Sequence, residues 1–364
     1  MSDPAPAPPA LPGPVVGTPD RAPGSVRRTS TVDMAWPDGF GTPLHLVGRA
    51  RDLVTTAAGE PVVAGLASMR VLVGPGRTIQ AIEVVPERDG IEKLVGTQGG
   101  SYLRHAIDEV LPGEREAATP LHLLLDDVAG TSLVAGFVWM RWREVLAAGG
   151  GSSAPGGTAA AATAMFGTPS PGAQPDGLAG AQQFGIRKGR VICSGLRPGG
   201  WAQTAREAGH DQGHALRPAG DISTPGDPWG WHELPQHPPM AMRRHRRIDV
   251  LPDGDVLHVN AFFRDSGWDP DGSENVVHEY TVDADVDAAS GTLAAVTATP
   301  RVLPFPECPW AAPHASQLVG LPVGTFRTGV QETLRELECC THLNDMLRCL
   351  AEVPALAAAV RVAS

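Results

Sequence analysis

The stretch RRHRRID (Arg243-Arg244-His245-Arg246-Arg247-Ile248-Asp249) has a weaker echo 216 positions earlier, RRTSTVD (Arg27-Arg28-Thr29-Ser30-Thr31-Val32-Asp33). Three further matches follow in the same order. Leu44-His45 and Arg51-Asp52 match Leu257-His258 and Arg264-Asp265 at an offset of 213. Thr78–Pro86 matches Thr292–Pro300 at 214, and Leu94-Val95-Gly96 matches Leu318-Val319-Gly320 at 224. Collinear matches with a slowly drifting offset are the mark of an internal duplication.

Each copy reads as strands followed by helices. LHVNAFF (257–263) alternates like a half-buried strand, and HEYTVDADVD with SGTLAAVTATP reads as a hairpin. In the first copy LASMRVLV, the turn GPGR and TIQAIEVV play that part. A helix then opens at Thr325, with Phe326, Val330, Leu334 and Leu337 on one stripe. Its counterpart opens at Ser101, with Tyr102, Ala106 and Val110. A last helix carries the stripe Leu343, Met346, Leu347 and Leu350 and is expected to end at Pro354. Strands first and helices second predict an α+β fold of two pseudo-symmetric repeats, each an antiparallel sheet followed by helices, joined by a flexible linker.

Five stretches result: a disordered Pro-rich tail (1–26), an N-terminal repeat (27–146), a flexible linker (147–182), an irregular Trp-, Pro- and His-rich segment (183–242) that wraps the units, and a C-terminal repeat (243–364). The net charge of -11 argues against a broad nucleic-acid footprint, and RRHRR reads as the solvated start of a strand with room for an anionic ligand. The longest apolar run, SLVAGFVWM, is about half of the ~18 residues a membrane span needs, and the N-terminus lacks the pattern of a signal peptide. Five cysteines, an odd number gathered toward the C-terminal end, fit a reducing compartment, so a cytoplasmic location with a small-molecule ligand is expected.

The second copy carries chemistry that the first lacks. His278 and Glu279 follow a strand-like NVV, Cys308 lies in FPECPW, and Cys340 and His342 open the last helix. Ala64 stands near the place of His278 and Pro120 near that of Cys340; His122 alone echoes His342. Thiolate and imidazole ligands together suit zinc or iron, so His278, Cys308, Cys340 and His342 form a candidate metal set. A metal-free enzyme is the rival, with Cys340 as nucleophile at a helix N-terminus and Glu279 or His278 in support. A non-catalytic binding or assembly role is the third reading. Cys349 lies too far along the helix from His342 to share an ion with it and reads as a packing residue. His45 and His258 each precede an Arg-Asp pair by six residues in both copies, which points to a structural role for that pair.

RRHRRIDV (243–250), NAFFRDS (260–266), VVHEY (276–280), ECPWAA (307–312), QLVGL (317–321) and CTHLNDMLR (340–348) together resemble a bacterial family filed as domain of unknown function 2889. The resemblance implies no reaction. A more distant similarity is to the U-type iron–sulfur scaffold proteins, which place a Cys and an Asp, a second Cys, and a final Cys or His-Cys in the same order. On that likeness His278 replaces the first cysteine, Glu279 stands near the aspartate, and Cys308 and Cys340 match the later cysteines. The change to histidine favours a mononuclear ion such as zinc over a cluster.

Overall fold

In the computed structural model the basic stretch is not at the surface. Arg243–Arg247 lie inside strand β6 (Met242–Asp253), at the centre of a nine-stranded antiparallel sheet, and all five are buried. The structure describes residues 10–39, 42–148, 191–207, 216–224 and 226–363, without the side chains of 137–148 and 205–207. The expected linker lies almost wholly outside them.

β6 pairs with β1 (Ser25–Ala35). Outward from β1 run β2 (Leu44–Thr55), β3 (Pro61–Val73) and β4 (Ile79–Val85). Outward from β6 run β7 (Val256–Trp268) and β8 (Glu274–Asp287), whose far edge is shared by β9 (Leu293–Val302) and the short β5 (Arg217–Pro218). Read from the β1–β6 pair, the order is the same in both directions.

Strand alternation sends successive side chains to opposite faces. On one face the even-numbered residues of β6 and β1 meet helices. α1 (Ser101–Val110), α2 (Pro112–Glu116) and the long α3 (Pro120–Ala148) follow β4. α4 (Trp201–Glu207) precedes β5, and α5 (Phe326–Thr333), α6 (Thr341–Arg348) and α7 (Val353–Ala363) follow β9. Two apolar clusters fill this side, one drawn mainly from each half. α3 rests on β1–β3, and α7 crosses back onto β1, β2 and β6. Pro354 lies in the first turn of α7 and opens that helix instead of ending the one before it, because a proline there gives up no intrahelical hydrogen bond. α1 and α5 begin where expected, but neither Ser101 nor Thr325 caps through its side chain.

The opposite face is covered by the chain before β1 and after β5. Within the stretch expected to be a tail, Val15 donates its N–H to Glu279 at 2.5 Å and its carbonyl accepts from Arg264 at 2.8 Å, while Gly17 N–H bonds Asp221. Trp231 stands edge-on to His245 and Phe262, and His232 bridges the Thr29 and Thr31 hydroxyls at 2.9 Å each. Trp231 and His232 thus lie over this face of the sheet.

Arginines survive at the centre of this sheet because each is paired. Arg27 donates to Asp249 and Arg243 to Asp33, both at 2.5 Å from Nε, on one face. On the helix face Arg28 holds Asp52 (2.6 Å) and reaches Glu352 (2.7 Å), while Arg244 holds Asp265 (2.8 Å) and reaches Asp127 (3.1 Å). On each face, therefore, each half sends a carboxylate to an arginine of the other. Removing either partner of such a pair leaves an uncompensated buried charge, which is what makes the seam specific.

Candidate metal centre

Three elements bring the site together. β7 supplies Asp265 and β8 supplies His278, which are direct cross-strand partners. A bulge between Asp265 and Ser266 leaves Val277 out of register, so His278, not Val277, stands beside the aspartate. Asp265 and His278 share the helix face with Phe263 and Tyr280. α6 contributes His342 from its first turn. Leu343, Met346 and Leu347 are fully buried and fix the rotation of that helix, and the His342 ring lies flat on the His278 ring, 3.5 Å between centroids and 18° between planes.

Asp265 Oδ2 lies 3.6 Å from His278 Nδ1 and 4.0 Å from His342 Nε2, and one ligand atom from each residue falls within 4.8 Å of the others. Tetrahedral bonds of ~2.1 Å place donor atoms about 3.4 Å apart, so seating an ion requires the donors to draw in and one of the stacked rings to turn its in-plane lone pair toward Asp265. His278 is buried, whereas the His342 side chain is 21% exposed and forms the mouth.

The electrostatics suit a cation. Burial alone would raise the Asp265 carboxyl, but Arg244 and the neighbouring His278 ring override it and hold the group well below the usual carboxylate range. Burial lowers His278, partly offset by Asp265; burial and then the His278 ring lower His342. At neutral pH the set is one carboxylate and two uncharged imidazoles with lone pairs to give. Arg244 occupies both Asp265 oxygens, at 2.8 and 2.9 Å, yet a carboxylate oxygen offers two lone pairs.

Of the four expected ligands, His278 and His342 meet. Cys308 and Cys340 do not join their cluster among the described residues. Cys340 is the residue before α6, with its thiol beside the Tyr280 hydroxyl. Cys308 opens the 3-10 stretch Cys308–Leu318 against Gly195, and Cys193 and Cys339 lie near them. All five cysteines are free and buried. Burial pushes Cys193 and Cys339 up to about 12, Cys308 well above its ordinary value, and Cys340 up as well, although Tyr280 and two backbone N–H groups partly offset it. A thiol held in that state is a poor nucleophile. Cys349 bonds Asp345 O at 3.2 Å from inside the core, a packing role.

Glu279 points to the other face of the sheet from His278. Arg264 Nε holds its Oε2 at 2.6 Å and the Val15 N–H holds Oε1, and burial leads in raising its carboxyl. It cannot reach the imidazoles. His258 is half-exposed and hydrogen-bonded to Asp285 at 2.7 Å on that outer face. Asp265 is the residue that sequence reasoning left out of the site. The DPDG turn (269–272) marks the β7–β8 hairpin, but an unbulged register would set Asp265 opposite Val277, so the pairing with His278 is invisible without the bulge.

Residues 242–356 match a family model described as a protein of unknown function (DUF2889). No curated protein and no solved structure matches the chain, so the likeness to iron–sulfur scaffolds gains no support there. Among the described residues no helix is long and apolar enough to cross a membrane.

Proposed function

We propose that this protein binds a divalent cation, zinc or ferrous iron, through Asp265, His278 and His342. The observation that carries the reading is the stacked pair of neutral imidazoles converging on one charged carboxylate oxygen. Two histidines and a carboxylate are a donor set that both zinc and ferrous iron accept while leaving positions open. When bound, the ion would supply Lewis-acid chemistry to water or to a carbonyl, which fits hydrolysis of a small acyl compound. The protein's own part is to keep both rings neutral, to orient Asp265 through Arg244, and to leave the His342 side open to solvent. The tie of Asp265 to Arg244 favours a second reading in which the ion is held for structure or delivery.

The expected duplication belongs to this proposal. The Arg27–Asp249 and Arg243–Asp33 pairs exchange under the 216-residue offset, and Arg28–Asp52 maps onto Arg244–Asp265. The isolated bridges Thr78–Gln98 and Thr292–Pro322 correspond as well. On this reading one ancestral unit was copied, and the copy after β5 acquired the histidines. The free thiols fit a reducing cytoplasm.

Elemental analysis of protein purified from metal-replete cells tests the binding. About one equivalent of zinc or iron is expected in wild type, with loss in His278→Ala and in His342→Ala. Wild-type protein that is metal-free and takes up neither added ion would overturn the proposal.

A further inference from the structure

The two ends of the sheet are finished differently. β4 and β9 hold matching places: Arg70 pairs with Glu83 where Asp283 pairs with Thr297, and Leu72 with Ala81 where Asp285 pairs with Ala295. β9 is closed by its own chain. Pro300 has no N–H to offer, Arg301 Nε donates to the Gly13 carbonyl at 2.9 Å, and Leu11 and Pro313 wall a cleft along residues 296–300. β4 lacks such cover. Ile79 donates its N–H to Thr97 at 3.0 Å and accepts from Gly96 at 2.8 Å. Past it, the outer edge of residues 80–85 meets no backbone partner among the described residues. Leu66 and Val85 are each 63% exposed there, whereas Glu279, which stands in the place of Leu66, is fully buried under Val15.

Unpaired N–H and C=O groups along an edge are a template for another strand, and proteins blunt them with proline, lysine or a covering segment. The sequence of β4, IQAIEVV, has neither proline nor a basic residue and is rich in β-branched side chains. The strand also matches itself. Run antiparallel to a second copy with Ile82 on the two-fold axis, residues 80–84 pair throughout and stop where Gly96 and Thr97 already hold Ile79. Ala81 then faces Glu83 of the copy and Gln80 faces Val84, so no like charges stand directly opposed. Arg70, the cross-strand neighbour of Glu83, supplies counter-charge on the outer face. Val85 of each copy comes against the turn at 95–97 of the other, where Val95 is 45% exposed.

We infer that β4 pairs with β4 of a second copy, joining two sheets edge to edge in a two-fold dimer. The contact is isologous and uses the bare edge of each chain, and β9 is closed, so assembly stops at two. The histidine pair belongs to the other half of the sheet, and the dimer stands or falls without the ion.

Size-exclusion chromatography with light scattering on the full chain, at a series of micromolar concentrations, tests this. Wild type is expected at twice the 38.0 kDa of one chain. Ala81→Glu sets glutamates face to face at two places and should weaken the dimer roughly tenfold. Ala81→Lys, facing the same Glu83, should hold the dimer at least as tightly as wild type. Ala81 is exposed, so circular dichroism should show both variants folded. A wild-type chain that elutes as a monomer throughout would overturn the inference. A dimer that the two substitutions affect alike belongs to another surface and overturns it as well.

Discussion

The two halves of the sheet treat the same ion pair differently. In the first, Asp52 is held by Arg28 and faces Gly65 across the β2–β3 bulge; in the second, Asp265 is held by Arg244 and faces His278 across the equivalent bulge. A Cβ at Gly65 would stand 3.2 Å from the Pro120 ring and 3.3 Å from the Asp52 carboxylate. The start of α3 therefore fills the space that two imidazoles occupy in the other half. The arginine–aspartate pair stands in both halves, and the His278–His342 pair stands in the second.

If the pair is framework, both halves should depend on it alike. Arg28→Ala strands Asp52, and Arg244→Ala strands Asp265, so each is expected to cost about 3–5 kcal/mol in urea unfolding. A mild effect at Arg244 beside a severe one at Arg28 would break the equivalence.

Acid should attack the outer face as well as the inner one. Burial pushes His232 down to about 3, below the ~6.5 of an unfolded histidine, so the unfolded chain binds more protons between those values. The stability His232 contributes is complete above about pH 6.5 and is lost as pH falls toward about 3. His232→Gln should flatten the fall in melting temperature between pH 6.5 and 4, and an unchanged slope would assign acid lability to the inner histidines.

Gly65→Ala sharpens the contrast between the bulges. Crowding against Pro120 should cost about 1–3 kcal/mol by thermal unfolding, and Gly65→His should fail to create a second metal site. The smallest effect is expected at the thiols. Iodoacetamide at neutral pH should label Cys340 no faster than Cys193 or Cys308 in the folded protein, and mass spectrometry showing selective modification of Cys340 would revive the nucleophile reading.

Much of this frame is legible in the residues. The alternation of LHVNAFF foretold a strand, which lies within β7, and the α6 stripe foretold which side of that helix is buried. What stays hidden is long-range. RRHRR looks like a solvated basic run because nothing local reveals Asp33, Asp127 and Asp265 waiting around it. Cys308 and Cys340 share one copy with the histidines, and sequence offers no means to separate thiols that pack against Gly195 and Tyr280 from rings that face Asp265. One bulge decides that aspartate's neighbour, and bulges leave little trace in a pattern of alternation.

The central claim, an ion on two imidazoles and a carboxylate, is tested most directly by X-ray absorption of the metal-loaded protein. The account predicts a first shell of nitrogen and oxygen at about 2.0–2.2 Å, with the imidazole contribution lost in His342→Ala. A sulfur shell at about 2.3 Å would transfer the site to Cys308 and Cys340, and a metal signal untouched by loss of His278 and His342 would contradict the account outright.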